Sequence, residues 1–161
     1  MFAPVSPKYR PLDTESVIAY ARERDELTDI FRAGEALEAV EVGDGNLNLV
    51  FKIWATADPA RTVVIKQALP YVRVFGDSWP LPPNRARIEA QALEIHYRLM
   101  PAHTPKVFFT DDELYLTAMQ NLNDHIIMRK GLIQGIESPH FADHIGTFLA
   151  RTLGGTSDLL L

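Results

Sequence analysis

The stretch from Glu41 to Gln67 constrains this chain more than any other. Val40-Glu41-Val42 runs into Gly43-Asp44-Gly45-Asn46; Leu47, Leu49 and Phe51 then alternate with Asn48 and Lys52, and a β-branched run, Thr62-Val63-Val64-Ile65, closes on Lys66. Alternation with period two is the pattern of half-buried strands. Two apolar runs joined by Asp-Gly predict a tight hairpin, because both central turn positions need positive φ. The same turn offers bare backbone N–H groups, which a loop covering phosphates requires, and a lysine closing the next strand reaches such phosphates from beneath. Two readings stand side by side: a plain hairpin with a solvated edge lysine, or a phosphate loop with its cation. The pattern is not a Walker loop, since no Gly-Lys-Ser/Thr follows, and not a Rossmann fingerprint, since a strand rather than a helix comes next.

Composition narrows the partners. The formal net charge is −5 and the isoelectric point about 5.5, which opposes nucleic acid or an anionic membrane as the main partner. With no cysteine, disulfides, thiolate metal sites and a thiol nucleophile are excluded. No apolar run has the length of a signal core or a membrane span, so the expectation is a soluble cytoplasmic protein.

Residues 1–13, punctuated by proline, read as an extended surface segment. Thr14 reads as the cap of a helix running to Phe31, with Val17, Ile18, Ala21, Leu27, Ile30 and Phe31 on its apolar face and Gly34 as its stop. Residues 68–83 hold four prolines, Gly76 and Trp79, a density that argues against regular structure; a lid beside a site and an aromatic-anchored connection both fit. Asn84 then reads as the cap of a helix whose apolar face is Ile88, Ala92, Leu93, Ile95, His96 and Leu99, and whose second turn carries Glu89, within reach of Lys66. His96 and His103 lack the companions a metal site needs.

A second hairpin pairs Lys106–Phe109 with Leu114–Met119. Its turn holds Asp111-Asp112-Glu113, a formal D-x-E that solvated turns produce without any metal. Gln120-Asn121-Leu122-Asn123-Asp124 follows as a polar connector, either a plain linker or an edge for a purine ring. Ser138 and Pro139 open a last helix with the stripe Phe141, Ile145, Phe148, Leu149 and Leu153, ended by Gly154-Gly155. His140 and His144 lie one turn apart, with Asp143 as the only carboxylate nearby.

In this order the pieces resemble a protein-kinase-like small lobe, and the likeness goes beyond fold. Gly43-Asp44-Gly45-Asn46-Leu47-Asn48-Leu49-Val50-Phe51, Ile65-Lys66-Gln67-Ala68-Leu69-Pro70-Tyr71, Ser78-Trp79-Pro80-Leu81 and Arg85-Ala86-Arg87-Ile88-Glu89-Ala90 resemble the 5-methylthioribose kinase family, as do Arg129-Lys130-Gly131-Leu132-Ile133 and His144-Ile145-Gly146. The resemblance implies an α+β fold: an antiparallel sheet of about five strands with packing helices and a helical C-terminal extension. It implies a small lobe over residues 1–122, with 1–34 as N-terminal extension and helix, and a hinge plus the start of a second lobe over 123–161. It implies a kinase of methionine salvage that phosphorylates the 1-hydroxyl of methylthioribose with ATP and magnesium. Gly43, Asp44, Gly45 and Asn46 would cover the phosphates, Lys66 would bind them, Glu89 would orient Lys66, and Gln120, Asn121 and Leu122 would form the adenine hinge. The family's hinge is typically Glu-Asp-Leu, and Gln120-Asn121 departs from it.

The base and magnesium ligands of such kinases lie in a His-Gly-Asp loop and a later D-x-E. No His-Gly-Asp occurs in the 161 residues, so no catalytic residue or metal ligand is assigned, and the expectation is a nucleotide-binding part inactive by itself. Two alternatives remain: a non-catalytic module of the same fold that forms a homo-oligomer, and a lobe of an aminoglycoside- or choline-type kinase, which Ser78-Trp79-Pro80-Leu81 disfavours.

Overall fold

The computed structural model describes residues 5–43 and 45–158. Asp44, assigned above to the phosphate loop, and the apolar end Leu159-Leu160-Leu161 lie outside the described residues. The chain forms an α+β unit built on an antiparallel five-stranded sheet. The strands are β1 (Leu37–Glu41), β2 (Asn48–Ala55), β3 (Asp58–Ala68), β6 (Val107–Asp111) and β7 (Leu116–Gln120), in the order β1-β2-β3-β7-β6. Between β3 and β6 lie a two-stranded ribbon, β4 (Tyr71–Val72) with β5 (Gly76–Pro80), and helix α2 (Arg85–Leu99). Helix α1 (Thr14–Arg22) precedes the sheet; α3 (Met128–Ile133) and α4 (Phe141–Gly155) follow it.

Period-two alternation divides the sheet cleanly. Phe51 of β2 faces Ile65 of β3, which faces Ala118 of β7, and all three are fully buried. With Leu49, Ile53, Val63 and Leu116 they form one apolar face, covered by Val17, Tyr20, Leu27 and Phe31 from the N-terminal segment. The intervening residues, Val50, Lys52, Val64 and Lys66, are only half-buried. A sheet with one face sealed presents the other as a wall.

The N-terminal helix is shorter than its apolar pattern predicts. It ends at Arg22, and Leu27 and Phe31 reach the core from a 3-10 turn and the coil after it; Arg24, with φ −102° and ψ 113°, breaks the run. Its cap is Asp13 rather than Thr14. The Asp13 carboxylate accepts from the Ser16 N–H, and the Ser16 hydroxyl accepts from the Asp13 N–H, both at 2.8 Å, a reciprocal box that satisfies two end donors. Gly34, at φ +74°, turns the chain into β1 instead of stopping the helix.

Residues 68–83 do form regular structure: Tyr71 pairs with Pro80 and Val72 with Gly76. The ribbon tolerates proline because Pro80 ends its strand, where no ladder donor is needed. Helix α2 meets the sheet through residues outside the expected stripe, although Ala92, Leu93, Ile95, His96 and Leu99 of that stripe are half-buried. Ala86 and Ala90, one turn apart, are buried while Ile88 is 64% exposed, and the helix lies against β6 and β7; alanine is what lets its backbone approach the sheet. Asn84 makes no side-chain cap bond. Nor does α4 start at a Ser138 cap: it begins at Phe141 after His140, with no side-chain cap bond, and Gly154 and Gly155 fall inside its last turn. At Gly155 a β-carbon would sit 3.0 Å from Leu99 Cδ2, so α4 touches the far end of α2. Among the described residues no helix is long and apolar enough to cross a membrane.

Two phenols tie the N-terminal segment to the sheet. The Tyr9 hydroxyl donates to the Ala68 carbonyl at 3.2 Å and the Tyr20 hydroxyl to Asp111 Oδ2 at 2.8 Å. Burial pushes the Tyr9 pKa up to about 12, and burial, then the bond to Asp111, raises Tyr20 as well. A phenol whose folded pKa is raised contributes stability that is whole below its ordinary value near 10 and is lost as pH rises through the folded value. The urea midpoint is therefore expected to fall as pH rises above about 10, and Tyr9→Phe to flatten that fall. An unfolding midpoint independent of pH across that window would contradict the assignment.

Candidate functional site

On the half-buried face of the sheet two of the predicted residues, Lys66 and Glu89, come together. Lys66 sits opposite Val50 on β2 and Thr117 on β7, so its side chain belongs to this face. Glu89, in the second turn of α2, meets it: Lys66 Nζ donates to Glu89 Oε1 at 2.5 Å. The pair is partly open to solvent, with side-chain exposures of 26% and 44%, and so remains accessible to an anionic ligand.

The glycine turn is not the two-residue hairpin that Asp-Gly predicts. Pairing ends at Glu41–Phe51, extended by the Val42 N–H to the Val50 carbonyl at 2.7 Å, and β2 starts at Asn48, so the two strands are joined by more than a two-residue turn. The tight two-residue turn is instead Thr56-Ala57, between β2 and β3. The second limb of the glycine loop bonds outward: the Asn46 carbonyl accepts from the Arg73 N–H (2.7 Å) and the Leu47 carbonyl from the Leu69 N–H (3.0 Å). Gly43 takes φ +93°. At Gly45 a β-carbon would lie 2.7 Å from the Asn48 carbonyl oxygen, an approach only glycine allows.

Gln120, Asn121 and Leu122, the residues expected to form a hinge, lie at the other end of the sheet. Gln120 ends β7, giving its N–H to the Lys106 carbonyl (2.8 Å) and accepting the Lys106 N–H on Oε1 (3.2 Å). The Asn121 amide donates to Thr62 Oγ1 (3.1 Å) and to Asn123 Oδ1 (2.8 Å). Leu122 is 44% exposed. An aspartate at 121 has no proton to give, so this network depends on the amide. It also draws in a residue that sequence reasoning passed over: Lys52 Nζ donates to Asn123 Oδ1 at 2.8 Å. Its alternation with Val50 was the available signal, since that places it on the Lys66 face. A hollow of about 330 Å³ runs along these residues between Thr62 and Asn121–His125. A larger cleft, about 590 Å³, lies between Gln120, Leu122 and α4 and contains neither Lys66 nor Glu89.

The ribbon β4–β5 stands beside the glycine loop. Phe75 and Trp79 stack at 5.2 Å between ring centroids, each more than half exposed, and Arg73 pairs with Glu41 of β1 at 2.6 Å. Asp111 is occupied in its turn, accepting from the N–H groups of Glu113 and Leu114 and from Tyr20. The His140 and His144 rings are 6.0 Å apart. Among the described residues no group of three histidine or acidic side chains is arranged to hold a metal ion.

No family model matches the chain. Curated relatives do. The chain is 47% identical over 154 residues to the methylthioribose kinase of Citrobacter koseri and 48% identical over 155 residues to that of Cronobacter sakazakii, covering 96% of this chain and 38% of each relative. The Erwinia tasmaniensis methylthioribose kinase is 44% identical over 151 residues, 94% of this chain and 37% of the relative. The chain thus spans well under half the length of the relatives it matches. With that identity sustained along nearly all of its residues, and with the sheet, paired lysine and helix of a kinase-like small lobe, the chain is a homologue of the N-terminal part of the methylthioribose kinases.

Proposed function

We propose that this chain is the ATP-binding, N-terminal part of a cytoplasmic 5-methylthioribose kinase of methionine salvage. The observation that carries the reading is the Lys66–Glu89 pair on the open face of the sheet, in a chain whose relatives bear that name. In this reading the loop amides near Gly43, Gly45 and Asn46 cover the phosphates, Asp44 belongs to the same loop, and the Lys66 ammonium neutralises phosphate charge. Glu89 holds that ammonium forward, while the backbone of Gln120, Asn121 and Leu122 receives the adenine edge. Magnesium, when bound, would neutralise phosphate charge, and the reading assigns it no ligand in this chain. Transfer to the methylthioribose 1-hydroxyl needs an acceptor base, which the reading assigns to no residue of this chain.

Calorimetry tests it. ATP is expected to bind weakly, and Lys66→Ala to reduce affinity by at least about tenfold, equivalent to 1.4 kcal/mol. The same substitution should change unfolding stability by no more than about 1 kcal/mol, because the ion pair is partly solvated. Affinity unaffected by Lys66→Ala would place the site elsewhere. In a coupled assay with ATP, magnesium and methylthioribose, the chain alone should show no turnover; robust turnover at a verified mass of 18.1 kDa would sink that part.

One observation favours a second reading, a self-associating module without catalysis. Ile127, Leu132, Ile133 and Leu153, on and beside α3 and α4, are 66–80% exposed, large apolar side chains of the kind that interaction surfaces carry. Sedimentation at micromolar concentration separates the two, since a clean monomer counts against self-association.

A further inference from the structure

We infer that Arg85 is a positioning residue that ties the glycine loop to the helix bearing Glu89, so that the loop's phosphate-facing amides are held in place from α2; the inference rests on the nucleotide-binding reading above. Arg85 is the first residue of α2, and Glu89 follows one turn later on the same side of the helix. From there the guanidinium reaches back across the base of the site. Its Nη1 donates to the carbonyls of Leu69 and Pro82, both at 3.0 Å, and its Nη2 to the Leu47 carbonyl and, at 3.4 Å, to Asn48 Oδ1. Four segments meet on one side chain: the outgoing limb of the glycine loop, the end of β3, the exit from the ribbon, and α2.

The acceptors are three backbone carbonyls and one side-chain amide oxygen, with no carboxylate among them. A half-buried cation spent on neutral acceptors fixes backbone positions. Leu47 and Asn48 follow directly on the loop, and Asn48 pairs with Ala68, two residues beyond Lys66. The loop limb is bonded to the ribbon as well, through Arg73 and Leu69, so loop and ribbon share one anchor. Only a planar fork spans these acceptors together; a lysine ammonium on the same stem is a point donor and reaches one or two of them.

A direct electrostatic role for Arg85 on the phosphates predicts something different, and two variants separate the roles. R85A removes charge and fork, whereas R85K keeps the charge alone. Amide hydrogen exchange of the chain is expected to rise at least about tenfold at Leu69 and Arg73, whose N–H groups donate to the Leu47 and Asn46 carbonyls, in both variants, with Phe51 and Ile65 unchanged, the signature of local release. ATP affinity should fall at least about fivefold in both, with adenosine affinity staying within about twofold, because adenosine has no phosphate for the loop to meet. Unchanged exchange at Leu69 and Arg73 overturns the inference. So does R85K matching the wild type, which would make charge the operative property, or equal loss of ATP and adenosine, which would mark general destabilisation. If the wild type bound neither ligand, the nucleotide-binding reading would fail, while the exchange measurement would still decide the tether. Should R85A not fold, R85K carries both measurements.

Discussion

Gln67→Leu is expected to cost about 3–5 kcal/mol of unfolding free energy, through breakage of a fully buried polar network. Gln67 has no exposed surface, yet its side chain is completely engaged. Nε2 donates to the carbonyls of Arg10 (2.9 Å) and Leu114 (3.0 Å), and Oε1 accepts the Leu12 N–H (2.9 Å). Leucine fills a similar volume but strands three backbone groups, each costing about 1–3 kcal/mol when left unpaired out of water. The chain has one escape: the segment around Arg10 and Leu12 can swing out and solvate, which caps the loss and frees the backbone beside Lys8 for a protease. Urea unfolding should register the lower midpoint, and trypsin should cut after Lys8 well before the core opens, Pro11 protecting the bond after Arg10. A loss below about 1 kcal/mol, outside the range for such groups, would mean that water replaces the amide.

The second large effect is Phe51→Ala, expected to cost about 3–5 kcal/mol. Phe51 is fully buried, flanked in register by Ile65 and, beyond it, Ala118, and roofed by the N-terminal segment. That roof cannot collapse into the void, because Tyr20 and Asp13 hold it by hydrogen bonds to the β6 end and within the helix cap. Val50→Ala, one residue away on the open face, has a half-filled environment and should cost less than about 1.5 kcal/mol. In urea the two midpoints should separate widely with unchanged m-values; near-equal losses would show that the open face is packed after all.

These two residues also mark how far the sequence could be read. Phe51 and Ile65 were legible because alternation is a local signal that survives folding, and with it came the strands; the approach of Glu89 to Lys66 was read from the helix pattern and the family resemblance. Gln67 was silent. Nothing local distinguishes a glutamine that solvates an edge from one whose partners lie 47 to 57 residues away. The same limit explains the glycine loop. Asp-Gly signals a tight turn, but the second limb of the actual loop is held by Arg73, Leu69 and Arg85, contacts with later segments. The face of α2 was legible only in part for a related reason: its bulkier residues define the stronger periodic stripe and are half-buried, whereas close approach to β7 selects the small ones, Ala86 and Ala90.

That choice of alanines gives α2 the mechanics of a lever pivoted near one end. Ala86 and Ala90 bear on the sheet, Glu89 lies beside that bearing, and Leu99, resting against Gly155 of α4, is at the distant tip. At 1.5 Å per residue, Leu99 is about 13–14 Å from Ala90 and Glu89 only about 1.5 Å. A displacement of about 1 Å imposed at the tip by α4 would therefore reach Glu89 as about 0.1 Å. The geometry insulates the Lys66–Glu89 pair from movement in the helices beyond β7, and lets them shift or exchange neighbours without disturbing the charge placed over the sheet.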